Sequence, residues 1–273
     1  MNKSVRAGLN IGALLLLFVL VQVVCSAVAF LLANADRLAA GQPLDPVALE
    51  LNPKWAGIAL FFGEALFVVL LWVVRLIRRR PVPTPCFPFP RYWVLAVCGM
   101  LCVSVGISLL LEPFELDDAG MVAMFAGMKG NLLCLLALTV VGPLAEEFFF
   151  REGIQRQLRL AGWPAPAAIF AAALLFALVH GNLLQGISAL LLGCVLGFLY
   201  EETGDIRLPG TAHVVNNSLA VGLLYFPEVE AFLDGSPAVF PLVVGSFSAL
   251  LGGALLYCWH GKIRKGGQKT QGV

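Results

Sequence analysis

Charged side chains are scarce in this sequence. Asp, Glu, Lys and Arg together make up 13% of its 273 residues, whereas 59% of the residues are hydrophobic and the mean hydropathy is +0.88. A soluble domain of this length needs far more polar side chains to cover its surface. The composition therefore excludes an ordinary soluble globule and indicates a polytopic membrane protein.

The sequence also lacks the cysteine patterns that are typical of disulfide-bonded scaffolds and of zinc sites. The seven cysteines form no CxxC pair and lack the spacing of a small secreted scaffold. Most of them lie inside apolar runs, so we interpret them as reduced packing residues.

Long apolar runs are abundant. Runs near 20 residues, the length that crosses a hydrocarbon core about 30 Å thick, occur eight times. The predicted spans are residues 8–33, 57–76, 92–111, 131–153, 164–180, 184–200, 209–226 and 238–259. The first run is longer than that of a secretory signal, and we interpret it as a retained anchor. We therefore predict an all-α polytopic membrane protein with about eight transmembrane helices.

The basic residues indicate the orientation, because Lys and Arg accumulate in cytoplasmic loops. They precede the first span, flank the loop between the second and third, and follow the eighth, whereas the connections at 112–118 and 228–234 are acidic. Both termini are therefore predicted to be cytoplasmic. This basic face suggests contact with anionic lipid, and the net charge of +1 gives no sign of nucleic-acid binding.

A proline-rich segment divides the chain. Residues 81–90 contain five prolines, and each proline lacks an N–H donor and restricts the residue before it, so this segment cannot be helical. We predict an N-terminal transmembrane hairpin with this linker (1–91), a transmembrane core (92–260) and a basic cytoplasmic tail (261–273). We find no internal repeat of the kind that marks two-half transporters.

The most informative charges, Glu146, Glu147 and Arg151, interrupt the apolar fourth span. An ionisable side chain inside a bilayer costs about 2.5 to 3.5 kcal/mol on insertion scales and by default indicates function. On an α-helix, Glu147 and Arg151 have the spacing and order that favour an ion pair. Glu146 has Phe150 at the corresponding position and so no helix-local counter-charge, which makes it the candidate general base. Pro143 is expected to bend or loosen the helix just upstream.

Two of the three histidines lie in apolar surroundings. His180 follows Phe176 by four residues, and His213 precedes Asn217 by four residues on one face of a predicted helix. A neutral imidazole and an amide so placed can donate hydrogen bonds to a developing oxyanion, or can ligate a metal. The sequence leaves both possibilities open.

Counting 1.5 Å per residue along each helix gives the expected depths. Glu146 falls about 10 Å from the cytoplasmic side of a core about 30 Å thick, and His213 and Asn217 fall roughly 6 and 12 Å deep. These three depths agree. His180 falls roughly 25 Å deep, on the opposite side, unless its helix is tilted, begins below the membrane surface or turns back early at Gly181.

Each of these features also has a structural interpretation. A Glu–Arg pair can simply stabilise a helix, and a lone intramembrane His more often packs against a neighbouring helix through a hydrogen bond than binds a ligand. A carboxylate pair, two histidines and an asparagine on three separate spans together favour a functional site. Glu64 is a further buried acid, and the sequence leaves its role open between structure and function.

Glu146-Glu147-x-x-x-Arg151, Phe176-x-x-x-His180 and His213-x-x-x-Asn217 together resemble the three motifs of the CPBP family of intramembrane proteases. This family includes the type II CAAX prenyl proteases and bacterial proteins of the Abi type. The motifs occur in the family's order, each on a predicted span, and the resemblance covers about residues 130–226. It implies an eight-helix fold around a polar cavity, and hydrolysis of a peptide bond in a membrane-anchored or lipidated protein or peptide.

The resemblance also implies roles for individual residues. Glu146 and His180 would activate a water molecule, while His213 and Asn217 would stabilise the oxyanion. Two mechanisms stay open: a glutamate-type mechanism, and a metal-dependent one in which Glu146, His180 and His213 bind Zn²⁺.

The second Glu and the Arg of the first motif, Glu147 and Arg151, would hold the geometry of the site. Other intramembrane protease chemistries are excluded by missing motifs, because the sequence contains no HExxH, no GxSG-like serine motif on a span and no GxGD.

A different class of function is the alternative. A non-catalytic transporter or scaffold could use the buried Glu/His cluster to bind a ligand or partner, since intramembrane Glu and His chains also serve as proton relays. Short loops and the likeness to the Abi branch favour a bacterial protein of the inner (cytoplasmic) membrane.

Overall fold

The computed structural model describes residues 2–73, 91–117, 119–237 and 239–270, and within this part it is helical with no strand. The predicted all-α membrane fold is confirmed. Eight helices of 15 or more residues occur among the described residues. In chain order they are α1 (Lys3–Ala33), α2 (Pro53–Val73), α3 (Arg91–Leu111), α4 (Leu132–Leu160), α5 (Ala165–Val179), α6 (Leu183–Thr203), α7 (Arg207–Leu223) and α8 (Val239–Thr270). The predicted proline-rich linker at 81–90 lies outside the described residues.

Shorter segments connect the long helices. These are the helices Ala35–Ala39, Ala48–Leu51, Met121–Gly127 and Pro227–Asp234, and the 3-10 turn Glu112–Phe114.

Each of the eight predicted spans coincides with one of the long helices. Within the described ranges, six of these helices, α1 to α4, α6 and α8, are long and apolar enough to cross a membrane. With 15 residues, α5 is about 22 Å long, which is shorter than a hydrocarbon core of about 30 Å. Eight crossings and cytoplasmic termini stay predictions.

The helices form two compact units. Unit 1 contains α1, α2, residues 119–162 with α4, and the segment Asn217–Tyr225, which includes the end of α7. Unit 2 contains α3, α5, α6, the part of α7 up to Asn216, and α8. These units follow packing, because α2 contacts α1 and α4, and α3 contacts α8 and α6. The division into 1–91, 92–260 and 261–273 follows the linker and the tail instead and stays a prediction.

In unit 1, α1 presents a narrow seam to its neighbours. Its buried residues are Ala7, Leu14, Val21 and Ala29, which recur at seven- or eight-residue intervals. Such spacing keeps one stripe of a helix against a partner. Many large apolar side chains of α1 are exposed, such as Leu16 at 70%, as expected for a helix that faces lipid, where exposed apolar surface carries no penalty.

In unit 2, the backbones of α3 and α8 approach each other closely. Gly99 and Gly106 on α3 lie seven residues apart, as do Gly245 and Gly252 on α8. A Cβ atom on Gly252 would lie 2.5 Å from the carbonyl oxygen of Gly99, and one on Gly106 would lie 2.7 Å from the backbone nitrogen of Ala249. Small residues let membrane helices approach closely and gain van der Waals contact where a hydrophobic driving force is lacking.

The start of α7, the helix that contains His213, is fixed by Asp205. The backbone N–H of Arg207 donates to Asp205 Oδ1 over 2.9 Å, and Arg207 Nη2 lies 2.5 Å from Asp205 Oδ2. Burial by itself would raise the pKa of Asp205, but the side-chain and backbone hydrogen bonds from Arg207 outweigh burial and lower that pKa. The Asp205 carboxylate is therefore both the cap of α7 and an ion-pair partner.

The close contact between α3 and α8 predicts that alanine substitutions at Gly252 and Gly253 have different effects on stability. Gly252→Ala should lower the free energy of unfolding by about 1 to 3 kcal/mol, because the added methyl group forces α3 and α8 apart. A methyl group on Gly253 would have nothing within 4 Å of it, so Gly253→Ala should be neutral or stabilising by up to about 1 kcal/mol through helix propensity. Denaturant unfolding in detergent measures both, and equal effects would contradict the close contact.

The Asp205 cap predicts a pH-dependent contribution to stability. Since the folded pKa is lowered, the stabilisation is present above the unfolded pKa of about 3.9 and is lost as the pH falls through the folded value. Asp205→Asn keeps a capping side chain but removes the charge, so it should cost about 0.2 to 1 kcal/mol at pH 7. In thermal unfolding, the difference between variant and wild type should shrink as the pH falls below about 4; a difference that does not change with pH would refute the charge effect.

Candidate active site

The helix around the paired glutamates is not a regular α-helix. Ala137–Val141 and Phe148–Gln155 have π-helical hydrogen bonding, and only Gly142–Glu147 between them is α-helical. Pro143 was expected to bend or loosen this helix, and the first π segment ends just before Gly142-Pro143. A π turn holds one extra residue, and such turns occur frequently at functional sites.

The residues of the first π turn explain its form. The Gly142 N–H donates to the carbonyl of Ala137, five residues earlier, and the next residue is Pro143, which has no N–H. A Cβ atom on Gly142 would lie 2.8 Å from the Ala137 carbonyl oxygen, so the turn requires glycine at this position. The pair Gly142-Pro143 was the available sequence signal, since proline disrupts the regular α-helical ladder.

The ion pair expected between Glu147 and Arg151 is present in the structure. Arg151 Nε donates to Glu147 Oε2 over 3.1 Å, and the two side chains are 1% or less exposed. A second pair at the same spacing, Glu152 with Arg156 at 2.7 Å, lies closer to the surface. The Glu147–Arg151 pair is thus the more buried of the two. Loss of one partner of a buried ion pair leaves the charge of the other uncompensated.

Glu64 lies in the same unit as Glu146. It is 4% exposed on α2 and accepts a hydrogen bond from Gln22 Nε2 on α1 over 2.7 Å. Its carboxyl group repels that of Glu146 electrostatically. The candidate base therefore has a second acid in its surroundings, and Gln22, which the sequence interpretation missed, hydrogen-bonds that acid. The only signal for Gln22 was an amide inside an apolar run.

Phenylalanines surround this part of unit 1. The Phe149 ring stacks on Phe18 with centroids 5.0 Å apart and meets the edge of Phe67 at 5.3 Å, and Phe150 lies 4.6 Å from Phe149. All of Phe67, Phe149 and Phe150 are buried. Two phenylalanines of the first motif, Phe149 and Phe150, thus belong to a cluster of buried aromatic rings, and such apolar surroundings strengthen electrostatic interactions.

In unit 2, His180 lies where α5 stops. The helix ends at Val179, and Gly181, in the connection to α6, adopts the left-handed conformation with φ of 73°. His180 Nδ1 is 2.7 Å from the carbonyl oxygen of Phe176 and donates to it in the neutral ring. The Nε2 atom then carries the lone pair, as a general base or metal ligand requires.

Phe176 brings the two histidines together. Its ring lies edge-on to His180 at 4.7 Å and to His213 at 5.8 Å between centroids. His213 is 5% exposed. The second and third motifs are thus joined within unit 2 through the phenylalanine of the second.

Asn217 contacts the helix of the first motif. Its Nδ2 donates to the carbonyl oxygen of Leu138, in the first π turn, over 3.2 Å. Four of the predicted site residues thus lie in unit 1 and two in unit 2. The four are Glu146, Glu147, Arg151 and Asn217, and the two are His180 and His213.

A metal site is the remaining sequence-based expectation. Among the described residues, no three His, Cys, Asp or Glu side chains are grouped as a metal ion would require. The Zn²⁺ site formed by Glu146, His180 and His213 stays a prediction, and no catalytic step below depends on it.

Comparison with known proteins identifies the class. Residues 128–219 match the family model of Rce1-like type II CAAX prenyl endopeptidases. The Bacillus subtilis (strain 168) protein named "Putative membrane peptidase YdiL" is 24% identical over 217 residues, which cover 76% of this chain and 86% of that protein. "Uncharacterized protein YpbD" from the same strain is 24% identical over 175 residues, which cover 62% of this chain and 82% of that protein. No solved structure matches the chain significantly.

The helical fold and the matched segment together define an integral membrane protein of the intramembrane protease class. More specifically, the matched segment, about a third of the chain, contains all three motifs and is similar to the CPBP family.

The buried ion pair predicts strong coupling between its partners. Glu147→Gln or Arg151→Met alone should lower the free energy of unfolding by about 3 to 5 kcal/mol, because each leaves one buried charge uncompensated. The double variant should cost less than the sum of the two. Glu152→Gln is the matched control at the same helix spacing, with an expected loss of about 1 kcal/mol or less because that pair is more exposed. Denaturant unfolding in detergent measures the cycle, and additive losses would show that the pair contributes nothing.

Proposed function

We propose that the protein is an intramembrane endopeptidase that hydrolyses a peptide bond of a membrane-anchored or lipidated protein or peptide. One observation carries this proposal: the Rce1-like match over residues 128–219 contains all three motifs. The match therefore includes every side chain to which we assign a role in the chemistry, and does not rest on apolar helices alone.

We assign the general-base role to Glu146. The neighbouring Glu147 is engaged by Arg151 at 3.1 Å, so the two adjacent acids have different surroundings and different tasks. Glu147 holds the helix geometry as an ionised partner. Glu146 takes a proton from the attacking water, and the cluster of buried aromatic rings on its helix provides apolar surroundings for this step.

The family resemblance supports a role for His180 at this water molecule. Its Nδ1 donates to the Phe176 carbonyl, which orients the ring and leaves Nε2 to accept a hydrogen bond from water. The water oxygen bonds to the peptide carbonyl carbon, the proton moves to Glu146 and then to the leaving amine, and the C–N bond breaks. His213 donates to the oxyanion while it exists.

The substrate is proposed to be a non-prenylated membrane protein or peptide. The relatives come from a bacterium, which supports a place in a bacterial cytoplasmic membrane, where prenylated CAAX proteins are absent. Among the described residues, six helices are long and apolar enough to cross a membrane, which supports a reaction within or beside the bilayer.

Replacing the base tests the proposal. Glu146→Gln should reduce cleavage of a membrane-anchored reporter library by at least about 100-fold in lipid, because the proton acceptor is removed without a change in shape. Glu152→Gln, an acid on the same helix outside the motifs, should retain activity.

A strong chelator separates the two mechanisms. Cleavage that requires Glu146 and survives chelation supports the glutamate mechanism, and cleavage that chelation abolishes and zinc restores supports the metal-dependent one. Unchanged cleavage by Glu146→Gln would remove Glu146 from the mechanism, and no cleavage by the wild type would favour transport or ligand binding.

A further inference from the structure

The carbonyl group of Leu138 loses the two backbone donors that a helix normally offers it. An α-helix would pair it with the N–H of residue 142, and a π turn with that of residue 143. The Gly142 N–H donates to Ala137 instead, and residue 143 is a proline without an N–H. The sequence thus places an acceptor in the first π turn that the helix itself does not satisfy.

Asn217 supplies a donor to this carbonyl. Its Nδ2 lies 3.2 Å from the Leu138 oxygen, although 79 residues separate the two positions. Leu138 is only 9% exposed, and hydrocarbon offers no water as a substitute partner, so an unsatisfied carbonyl here would be strongly unfavourable. The amide of Asn217 therefore completes the hydrogen bonding of the π turn.

The end of α7 is held against this region by two further contacts. Lys129 donates from Nζ to the carbonyl of Leu224, next to the C-terminus of α7. Val221 packs against the buried cluster that contains Leu138. All three contacts lie within unit 1, so the position of Asn217 beside Leu138 does not depend on one hydrogen bond alone.

The π turn matters because Glu146 follows it. A π turn contains one residue more than an α-helical turn. If it became α-helical, the part of the helix after the turn would rotate by roughly 100° relative to the part before it, because each residue of an α-helix turns by that angle. Glu146 lies eight residues after Leu138 on this helix. Its direction within unit 1 therefore depends on the π turn.

We propose that Asn217 is a positioning residue for Glu146, and that its side-chain amide replaces the N–H that Pro143 lacks and so maintains the π turn. This inference rests on the proposed function, in which Glu146 is the base. It gives Asn217 a role that is distinct from the oxyanion contact implied by the family resemblance, and it makes Pro143 and Asn217 a functional pair.

A double-mutant cycle tests the pairing. Pro143→Ala restores an N–H that can donate to Leu138 in the π register, so it should compensate for the loss of the amide. Asn217→Ala should reduce kcat by about 100-fold with little change in KM, because misplacement of a catalytic group by about 1 Å costs that much. Adding Pro143→Ala to the Asn217→Ala variant should raise kcat by at least about 10-fold. By itself, Pro143→Ala should change the kcat of the wild type by less than about threefold. Asn217→Asp, which has the same shape but no donor, should behave like Asn217→Ala.

A second readout does not depend on proteolysis. The same cycle is measured by thermal unfolding in detergent with Glu146→Gln in every chain. Asn217→Ala should lower the midpoint, and Pro143→Ala should raise it more in the Asn217→Ala chain than in the chain that retains Asn217. If Asn217→Ala yields no folded protein, recovery of folded protein in the double variant is the supporting result.

The outcomes separate this inference from the proposed function. Purely additive unfolding effects overturn the pairing, whatever the protein catalyses. Coupled unfolding without rescue of kcat overturns the positioning role and leaves Asn217 as an oxyanion donor. Cleavage that survives Glu146→Gln overturns the proposed function, while the unfolding cycle still decides whether Asn217 and Pro143 act together.

Discussion

Hydrocarbon provides no hydrogen bonds, so each polar group inside this protein needs a partner from the chain itself. This constraint explains the partners found around the first motif. Arg151 neutralises Glu147 at 3.1 Å, Gln22 hydrogen-bonds Glu64 at 2.7 Å, and a side-chain amide reaches a backbone carbonyl at 3.2 Å. In a soluble protein water would serve in several of these places. In the membrane, these hydrogen bonds are made by groups that are distant from one another in the sequence.

Different partners give chemically similar side chains different tasks. Glu146 and Glu147 are adjacent in sequence, but Arg151 forms a buried pair with Glu147, and Glu146 lies near a second acid, Glu64. The two adjacent carboxyl groups therefore have different surroundings, and the proposed roles, a base and a structural anion, follow this difference. The histidine His180 follows the same logic, because its hydrogen bond to a backbone carbonyl selects the ring nitrogen that carries the lone pair.

The parts of the structure that follow from composition and short-range spacing were predictable. All eight apolar runs became helices, and the Glu147–Arg151 pair formed because four residues separate its members. Pro143 indicated a bend or loosening of the helix near residue 146, but not the two π segments, since periodicity at 3.6 residues cannot reveal one extra residue in a turn. Gln22 was missed for another reason: a single amide in an apolar run has no pattern until the fold supplies its partner.

The sequence by itself determined the membrane class, the helices and the resemblance to a family, because hydrophobic length and motif spacing are local properties of the chain. Only the tertiary structure decided which polar groups meet. The contact of Asn217 with Leu138 joins residues 79 positions apart, and that of Gln22 with Glu64 joins residues 42 apart. Such contacts depend on how helices pack and on where a π turn redirects a side chain, and a one-dimensional pattern does not contain either.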